Sequence, residues 1–262
     1  TNHILTDNIM NITNEDIEAF KNMNRKYIFD VDGTLTPSRG KIDPEFLEFF
    51  NEFIKENKVY LATGSDAPKT IEQIGQDLFN SVERVYNCSG NSVWENGINI
   101  YNNDWVLAKV PQLFLDRELF QSEFTTRTGN HFDARPGLMN FSVVGRGATT
   151  EQREEYVKYD TETKERWTIA KKFNDNFMVS EKVVAQVAGE TGLDIMPVGK
   201  GKQQIIKDFN DLDEIIFIGD KTMHGGNDYD ISEAVKLLVN GKSYQVESYK
   251  DTWEILKGKE NV

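Results

Sequence analysis

Two carboxylates two residues apart, closed by a glycine, open the chemistry of this chain: Asp30-Val31-Asp32-Gly33-Thr34. The apolar run Tyr27 to Val31 reads as a buried strand entering a turn, which puts both acids at the carboxyl edge of a sheet, where open α/β folds bind ligands. Acids this close repel, and each is costly without a cation or a shared proton. An oxygen-liganded Mg²⁺ meets that need. An isolated Asp-x-Asp is better read as a turn cap, but this pair has company. Ile218-Gly219-Asp220 repeats the arrangement at a second apolar strand, and Gly225-Gly226-Asn227-Asp228 follows within one loop. Gly201-Lys202 opens the segment before that strand and offers a fixed positive charge. Thr63-Gly64-Ser65-Asp66 ends another strand with hydroxyl and N–H donors suited to a phosphate. Far apart in sequence, these pieces all fall at strand ends or adjoining loops on one edge of the expected sheet.

The elements that must position these groups alternate in type. Thr13-Asn14-Glu15-Asp16 has the form of a capping box ahead of a short helix through Ile17, Phe20 and Met23. Pro44 to Glu56 carries Phe46, Leu47, Phe49, Phe50 and Phe53 at helical spacing. Strands are expected at Lys58–Ala62 and Val82–Tyr86, with a helix from Pro68 to about Phe79 between them. Strand–helix–strand–helix–strand at this spacing predicts a parallel sheet with right-handed crossovers. The pattern then changes. Gly97–Tyr101 and Trp105–Lys109 flank Asn102-Asn103-Asp104, a hairpin signal, and His131–Arg135 and Met139–Val144 flank Pro136-Gly137, another. Helices are expected near Pro111–Thr126 and, with at least one break, over Thr150–Asn174. From Gly201 the first pattern returns, with a helix to Phe209 and the strand Glu214–Ile218. The fold class is α/β: a Rossmann-like parallel-sheet core, residues 1–97 and 198–262, interrupted by an α+β insert over 98–197.

Composition narrows the function classes. The chain has 262 residues, a net charge of −13 and 38% hydrophobic residues, with 16 Phe, 9 Tyr and 4 Trp. That is ample for a packed core and unlike a disordered chain. The acidic average surface repels nucleic acid, which leaves no nucleic-acid partner expected. No run approaches a membrane span, so no membrane partner is expected, and Thr1 to Met10 lack the pattern of a secretory leader. The single cysteine, Cys88, excludes an internal disulfide, and a reducing, cytoplasmic location is the default. Cys88 reads as buried rather than reactive, and His3, His131 and His224 show no metal-ligand spacing. An anionic substrate in such a chain requires its arginines to be concentrated where it binds.

The segments FDVDGTLTPSRGKI, RPGLMNFSVVGR and GDKTMHGGND together resemble the signatures of the eukaryotic-type phosphomannomutases, within the haloacid dehalogenase-like phosphotransferases. The resemblance covers roughly residues 26–245. It implies that Asp30 is the nucleophile that becomes an aspartyl phosphate and Asp32 the general acid/base. Thr63, with Ser65 as the alternative, and Lys202 would hold the transferring phosphoryl oxygens. Mg²⁺ would be bound by Asp30, the backbone carbonyl of Asp32 and Asp220, with Asn227 and Asp228 in support. Arg135, Arg146 and Arg153 in the insert and Arg39 in the core match substrate-contacting arginines, Asp194 an acid on sugar hydroxyls, and Asn140 belongs to the same surface. The implied reaction interconverts mannose 6-phosphate and mannose 1-phosphate, with hexose 1,6-bisphosphate as activator, in a homodimer formed through the cap. A Mg²⁺-dependent sugar-phosphate phosphatase is the alternative reading, because fold and core residues do not fix the acceptor. The chain departs from the family pattern at Gly192, where a Ser is usual, at His224, where a Pro is usual, at Gly90-Asn91-Ser92, and after Asp228.

Overall fold

The computed structural model describes residues 11–259. Residues 1–10, with the expected absence of a leader and His3, and residues 260–262 lie outside the described residues.

The apolar strand runs fold as they do because both of their faces are covered. Helix α1 (Asn14–Met23), started by the Thr13–Asp16 capping box, leads into β1 (Arg25–Phe29). Along β1, Tyr27 and Phe29 point to the core layer under α2 (Pro44–Glu56), while Ile28 points to a separate cluster on the opposite face. Helix α2 buries Phe46, Phe50 and Phe53, and Phe50 meets Phe29 edge-on with centroids 5.2 Å apart. Strand β2 (Lys58–Ala62), helices α3 (Ala67–Ile74) and α4 (Gln76–Ser81), and strand β3 (Arg84–Asn87) follow. The single helix expected over Pro68–Phe79 is broken at Gly75, whose φ of 86° leaves the helical region.

A second correction falls at the next hairpin. The turn is Asn96-Gly97, both at positive φ, and it joins β4 (Ser92–Glu95) to β5 (Ile98–Asn102). Trp105–Lys109 is not a strand; Lys109 instead begins α5 (Lys109–Gln121). Asn-Gly supplies the two left-handed residues of a tight hairpin, a stronger signal than the Asn102-Asn103-Asp104 cluster. Strand β5, placed in the insert by its sequence position, is therefore the edge strand of the core sheet.

The insert then builds its own sheet: β6 (Phe132–Arg135), β7 (Leu138–Ser142), helices α6 (Thr150–Thr163) and α7 (Glu165–Phe177) broken at left-handed Lys164, then β8 (Val183–Ala188) and β9 (Gly192–Pro197). The β6–β7 hairpin is where Pro136-Gly137 places it. A 3-10 helix over Lys202–Asp208 stands where a helix from Gly201 was expected. It precedes β10 (Glu214–Gly219), α8 (Tyr229–Lys236), β11 (Gly241–Gln245) and α9 (Tyr249–Lys259).

The larger sheet has the order β11-β10-β1-β2-β3-β4-β5, parallel from β11 through β3 and antiparallel at β4 and β5. The smaller has the order β6-β7-β9-β8 and is antiparallel throughout, with α5, α6 and α7 contributing to its own apolar cluster. The two halves are joined by a small apolar cluster of Cys88 with Leu138 and Met196, and by polar contacts. Val187 donates its N–H to the Gly225 carbonyl (2.8 Å) and accepts from Asn227 (2.9 Å), Gln186 donates to Asp230 (2.9 Å), and Arg135 donates to the Gly64 carbonyl (2.7 Å).

Candidate active site

Strand β1 ends at Phe29, and the next residue delivers Asp30 to the carboxyl edge of the larger sheet, with its N–H bonded to the Ile218 carbonyl of β10. Central strands of a parallel sheet thus bring distant acids together. The carboxylates of Asp30, Asp220 and Asp228 each offer an oxygen within 4.8 Å of the others. Lys202, fully buried, donates to Asp30 (2.6 Å) and to Asp228 (2.7 Å), and Lys221 pairs with Asp220 (2.6 Å). Thr34 donates to the second oxygen of Asp30 (3.2 Å). Burial first, and then the charge of Asp228, push the Asp30 carboxyl well above the ordinary range, against the pull of Lys202. Burial raises Asp220 as well. Burial works against the Lys202 ammonium, but Asp228 and Asp30 outweigh it and hold its pKa above the usual lysine value. Three converging oxygen donors with a surplus of negative charge are the donor set of a hard divalent cation.

Asp32 points elsewhere. Its Oδ1 accepts from the Arg39 N–H (2.8 Å) and from Gln73 Nε2 (2.6 Å), and its Oδ2 from the Ser65 hydroxyl (3.3 Å). The carboxylate lines the cleft between the two sheets, as Asp30 does, and is not one of the three clustered carboxylates. Thr63 and Ser65 line the same cleft from the β2–α3 loop, with Thr63 Oγ1 accepting from the Ser65 N–H (3.1 Å). That loop is tied down from β3: Asn87 donates to the Ser65 carbonyl (3.1 Å) and to Thr70 (2.8 Å).

Facing this edge across the cleft are arginines. Asp133 receives Arg135 at 2.9 Å and Arg146 at 3.5 Å. Arg39, on the core side, stands in their field: burial, then the charges of Arg146 and Arg153, depress its pKa to about 10. Arg146 is lowered by burial and by Arg135, whereas Arg135 is raised because Asp194 and Asp133 outweigh its burial. Guanidinium groups gathered to the point of mutual depression want an anion. Asp194 is 1% exposed; its Oδ1 accepts from Asn140 (2.9 Å), while its buried Oδ2 has no partner. That oxygen lies against Gly64, where a Cβ would sit 2.4 Å away.

The sequence expectations fare unevenly in detail. Asp30, Asp32, Arg39, Thr63, Arg135, Arg146, Gly192, Asp194 and Asn227 all line one cleft, and Lys202, Asp220 and Asp228 lie around Asp30. Arg153 is engaged with Glu190 (3.1 Å), and Glu190 is the member of that pair lining the cleft. Asn227 lines the cleft together with Asp30. A Cβ at Gly192 would lie 2.7 Å from Asn140 Nδ2, so a serine there would have to displace the amide that holds Asp194. Cys88 is buried, and burial pushes its thiol up to about 12, as expected of an unreactive cysteine. Lys69, Gln73 and Asp133 were missed. Gln73 had a signal: a polar residue on the buried face of α3, with Ala67, Thr70 and Ile74.

A mainly parallel sheet with acids at its carboxyl edge and a second, antiparallel sheet facing them is a fold shared with solved structures. An IMP-nucleotidase of Plasmodium falciparum bound to IMP matches with a TM-score of 0.57 at 15% identity, covering 91% of this chain and 68% of that one. A trehalose-6-phosphate phosphatase related protein matches with a TM-score of 0.53 at 18% identity, covering 90% and 96%. At the level of sequence, the family model of eukaryotic phosphomannomutase matches residues 46–260. A phosphomannomutase of Spinacia oleracea is 30% identical over 87% of this chain and 94% of its own length, and one of Drosophila melanogaster is 30% identical over 87% and 92%. The chain belongs to the eukaryotic phosphomannomutase family, which makes it an enzyme of that class.

Proposed function

We propose that the chain interconverts mannose 6-phosphate and mannose 1-phosphate by way of an aspartyl phosphate on Asp30 and a hexose 1,6-bisphosphate. The observation that supports this reading is one cleft lined both by the carboxylates of Asp30 and Asp32 and by three arginines, Arg39, Arg135 and Arg146, more cationic groups than a single transferring phosphate requires. A phosphatase needs to hold only the phosphate it cleaves; a mutase must also hold the one that does not react.

In this reading the free hydroxyl of a bound hexose monophosphate attacks the aspartyl phosphate on Asp30, the Asp30 oxygen–phosphorus bond breaks and Asp32 takes the hydroxyl proton, which gives the bisphosphate. With the bisphosphate turned round, an oxygen of Asp30 bonds to its other phosphorus, that phosphorus–sugar oxygen bond breaks, and Asp32 gives the proton to the departing sugar oxygen. Lys202 and the hydroxyl of Thr63 steady the phosphoryl oxygens, and Asp194 accepts from sugar hydroxyls through its unpartnered Oδ2. Mg²⁺ held by Asp30, the Asp32 carbonyl and Asp220, with Asp228 and Asn227 in support, supplies charge neutralisation for the transferring group. The two sheets then mark a catalytic core and an inserted cap. A cap-mediated homodimer is supported by Val110, Leu113 and Phe120, exposed on α5. A cytoplasmic site of action agrees with the single buried thiol, and no helix among the described residues is long and apolar enough to cross a membrane.

Phosphorus NMR of mannose 1-phosphate with Mg²⁺, with and without catalytic hexose 1,6-bisphosphate, tests the proposal. Growth of the 6-phosphate signal, accelerated by the bisphosphate, is the expected result. Inorganic phosphate as the sole product, indifferent to bisphosphate, would favour the sugar-phosphate phosphatase instead.

A further inference from the structure

Gln73 is 1% exposed on the inner face of α3, and nothing about its apolar neighbours requires an amide there. Its Nε2 donates to Asp32 Oδ1 at 2.6 Å, with Thr36 Oγ1 (3.4 Å) and the Gly40 carbonyl (3.5 Å) as weaker acceptors. Its Oε1 is buried without a partner. An unsatisfied buried carbonyl is a cost that an aliphatic side chain would avoid, so the value of the residue lies in its N–H donors. Were the amide turned over, its oxygen would face a carboxylate oxygen at the same distance; Asp32 itself therefore fixes the orientation. The backbone holds the donor in place, because the Gln73 carbonyl accepts from the Ile42 N–H (2.8 Å). The second donor to Oδ1 is the N–H of Arg39, a residue at a φ of 55°, in the left-handed region.

We propose that Gln73 is a positioning residue for Asp32. With Oδ1 held by the Gln73 amide and the Arg39 N–H, the carboxylate cannot rotate about its last bond, and Oδ2, beside Ser65 in the cleft, is the oxygen that exchanges a proton with the sugar. The proposal rests on the reading of Asp32 as general acid/base. Gln73 touches neither substrate nor phosphate, so its effect is felt where the leaving oxygen needs a proton and not where it leaves unaided.

Gln73→Met keeps the length and volume of the side chain and removes the donor. Its kcat for mannose 1-phosphate is expected to fall about 30- to 100-fold, part of the roughly 10²- to 10⁴-fold that general acid–base catalysis contributes, with KM within about threefold of wild type. The burst of phenolate from an activated aryl phosphate, which reports phosphorylation of Asp30 alone, should stay within about threefold. A crystal structure of the variant should show the Asp32 carboxylate in a changed rotamer. Should Gln73→Met fail to fold, Gln73→Asn, which withdraws the amide by one carbon, is expected to give the same dependence on leaving group. Equal losses on both substrates, or no loss on either, overturn the proposal. Asp32→Asn assayed alongside separates the two ideas. If it turns over hexose phosphate at the wild-type rate, the acid/base reading fails. If it stalls while Gln73→Met does not, only the positioning role fails.

Discussion

Asp30 carries the strongest consequence at the scale of single residues. It and Asp220 bind protons more tightly in the folded protein than in the unfolded chain, because burial outweighs their cationic partners. Between the ordinary carboxylate pKa and the raised one, the fold keeps protons that the unfolded chain has lost, so stability falls as pH rises through that window. Asp194 and Asp230 act in the same direction. In chelator, the protein should therefore melt at a lower temperature at pH 8 than at pH 5, and Mg²⁺ should restore much of the difference. Asp30→Asn should flatten part of this slope while lowering turnover of hexose phosphate by about 10⁴-fold or more. A melting temperature indifferent to pH in chelator, or normal turnover by the variant, would contradict the account. The acid pair was legible in the sequence because Lys202, Asp220 and Asp228 accompany it at neighbouring strand ends; alone it would read as a turn cap. Gln73 and Asp133 were not, since each matters through a partner that only the fold supplies: Asp32 forty-one positions away for the first, and Arg146 beyond β7, besides the nearby Arg135, for the second.

At the scale of elements, periodicity was a good guide to the parallel half. Both faces of β1 and β10 are covered, so their apolar runs are continuous. It served less well where one residue decides the outcome, as at Gly75 inside a helical pattern and at Asn96-Gly97, where left-handed backbone conformations outrank a longer polar cluster. The helices of the insert reach the site through two arginines, Arg153 of α6 by way of Glu190 and Arg166 of α7. Arg166 on α7 pairs with Asp160 of α6 at 2.8 Å and donates to the carbonyls of Ala188, Gly189 and Gly192, the turn that walls the cleft. Both side chains are nearly buried, at 9% and 6% exposed. Arg166→Met strips the buried Asp160 carboxylate of its guanidinium partner and leaves it the backbone N–H of residue 166; breaking a buried pair costs about 3–5 kcal/mol, so the melting temperature should drop by on the order of 10 °C. Adding Asp160→Leu to that variant should recover part of the loss, since the stranded charge goes with it. A double variant no more stable than Arg166→Met would mean that the three carbonyls, not the ion pair, carry the stability.

Across the whole molecule, charge is distributed against its own average. A chain of net charge −13 draws four of its arginines toward one cleft, Arg39 from the core and Arg135, Arg146 and Arg153 from the insert. Asp133 and Glu190 pair with three of them, while burial first, and then the neighbouring guanidinium groups, lower Arg39 and Arg146. In a folded protein without an anion, Arg146 is thus a source of repulsion, and its removal should cost little stability. With an anion in the cleft the sign reverses, because one phosphate can be shared by arginines from both halves of the chain. Inorganic phosphate should therefore stabilise the protein by mass action, by about 2.7 kcal/mol at a hundred times its Kd. Arg146→Met should melt within a degree or two of wild type in phosphate-free buffer and lose most of the gain when phosphate is added. Chloride at matched ionic strength should not substitute, because a monatomic ion cannot accept several planar guanidinium forks at once. Thermal unfolding of the two proteins across a phosphate titration makes the comparison directly. If phosphate raises the melting temperature of Arg146→Met as much as that of wild type, or if chloride does the same work, the arginines do not form a shared anion site.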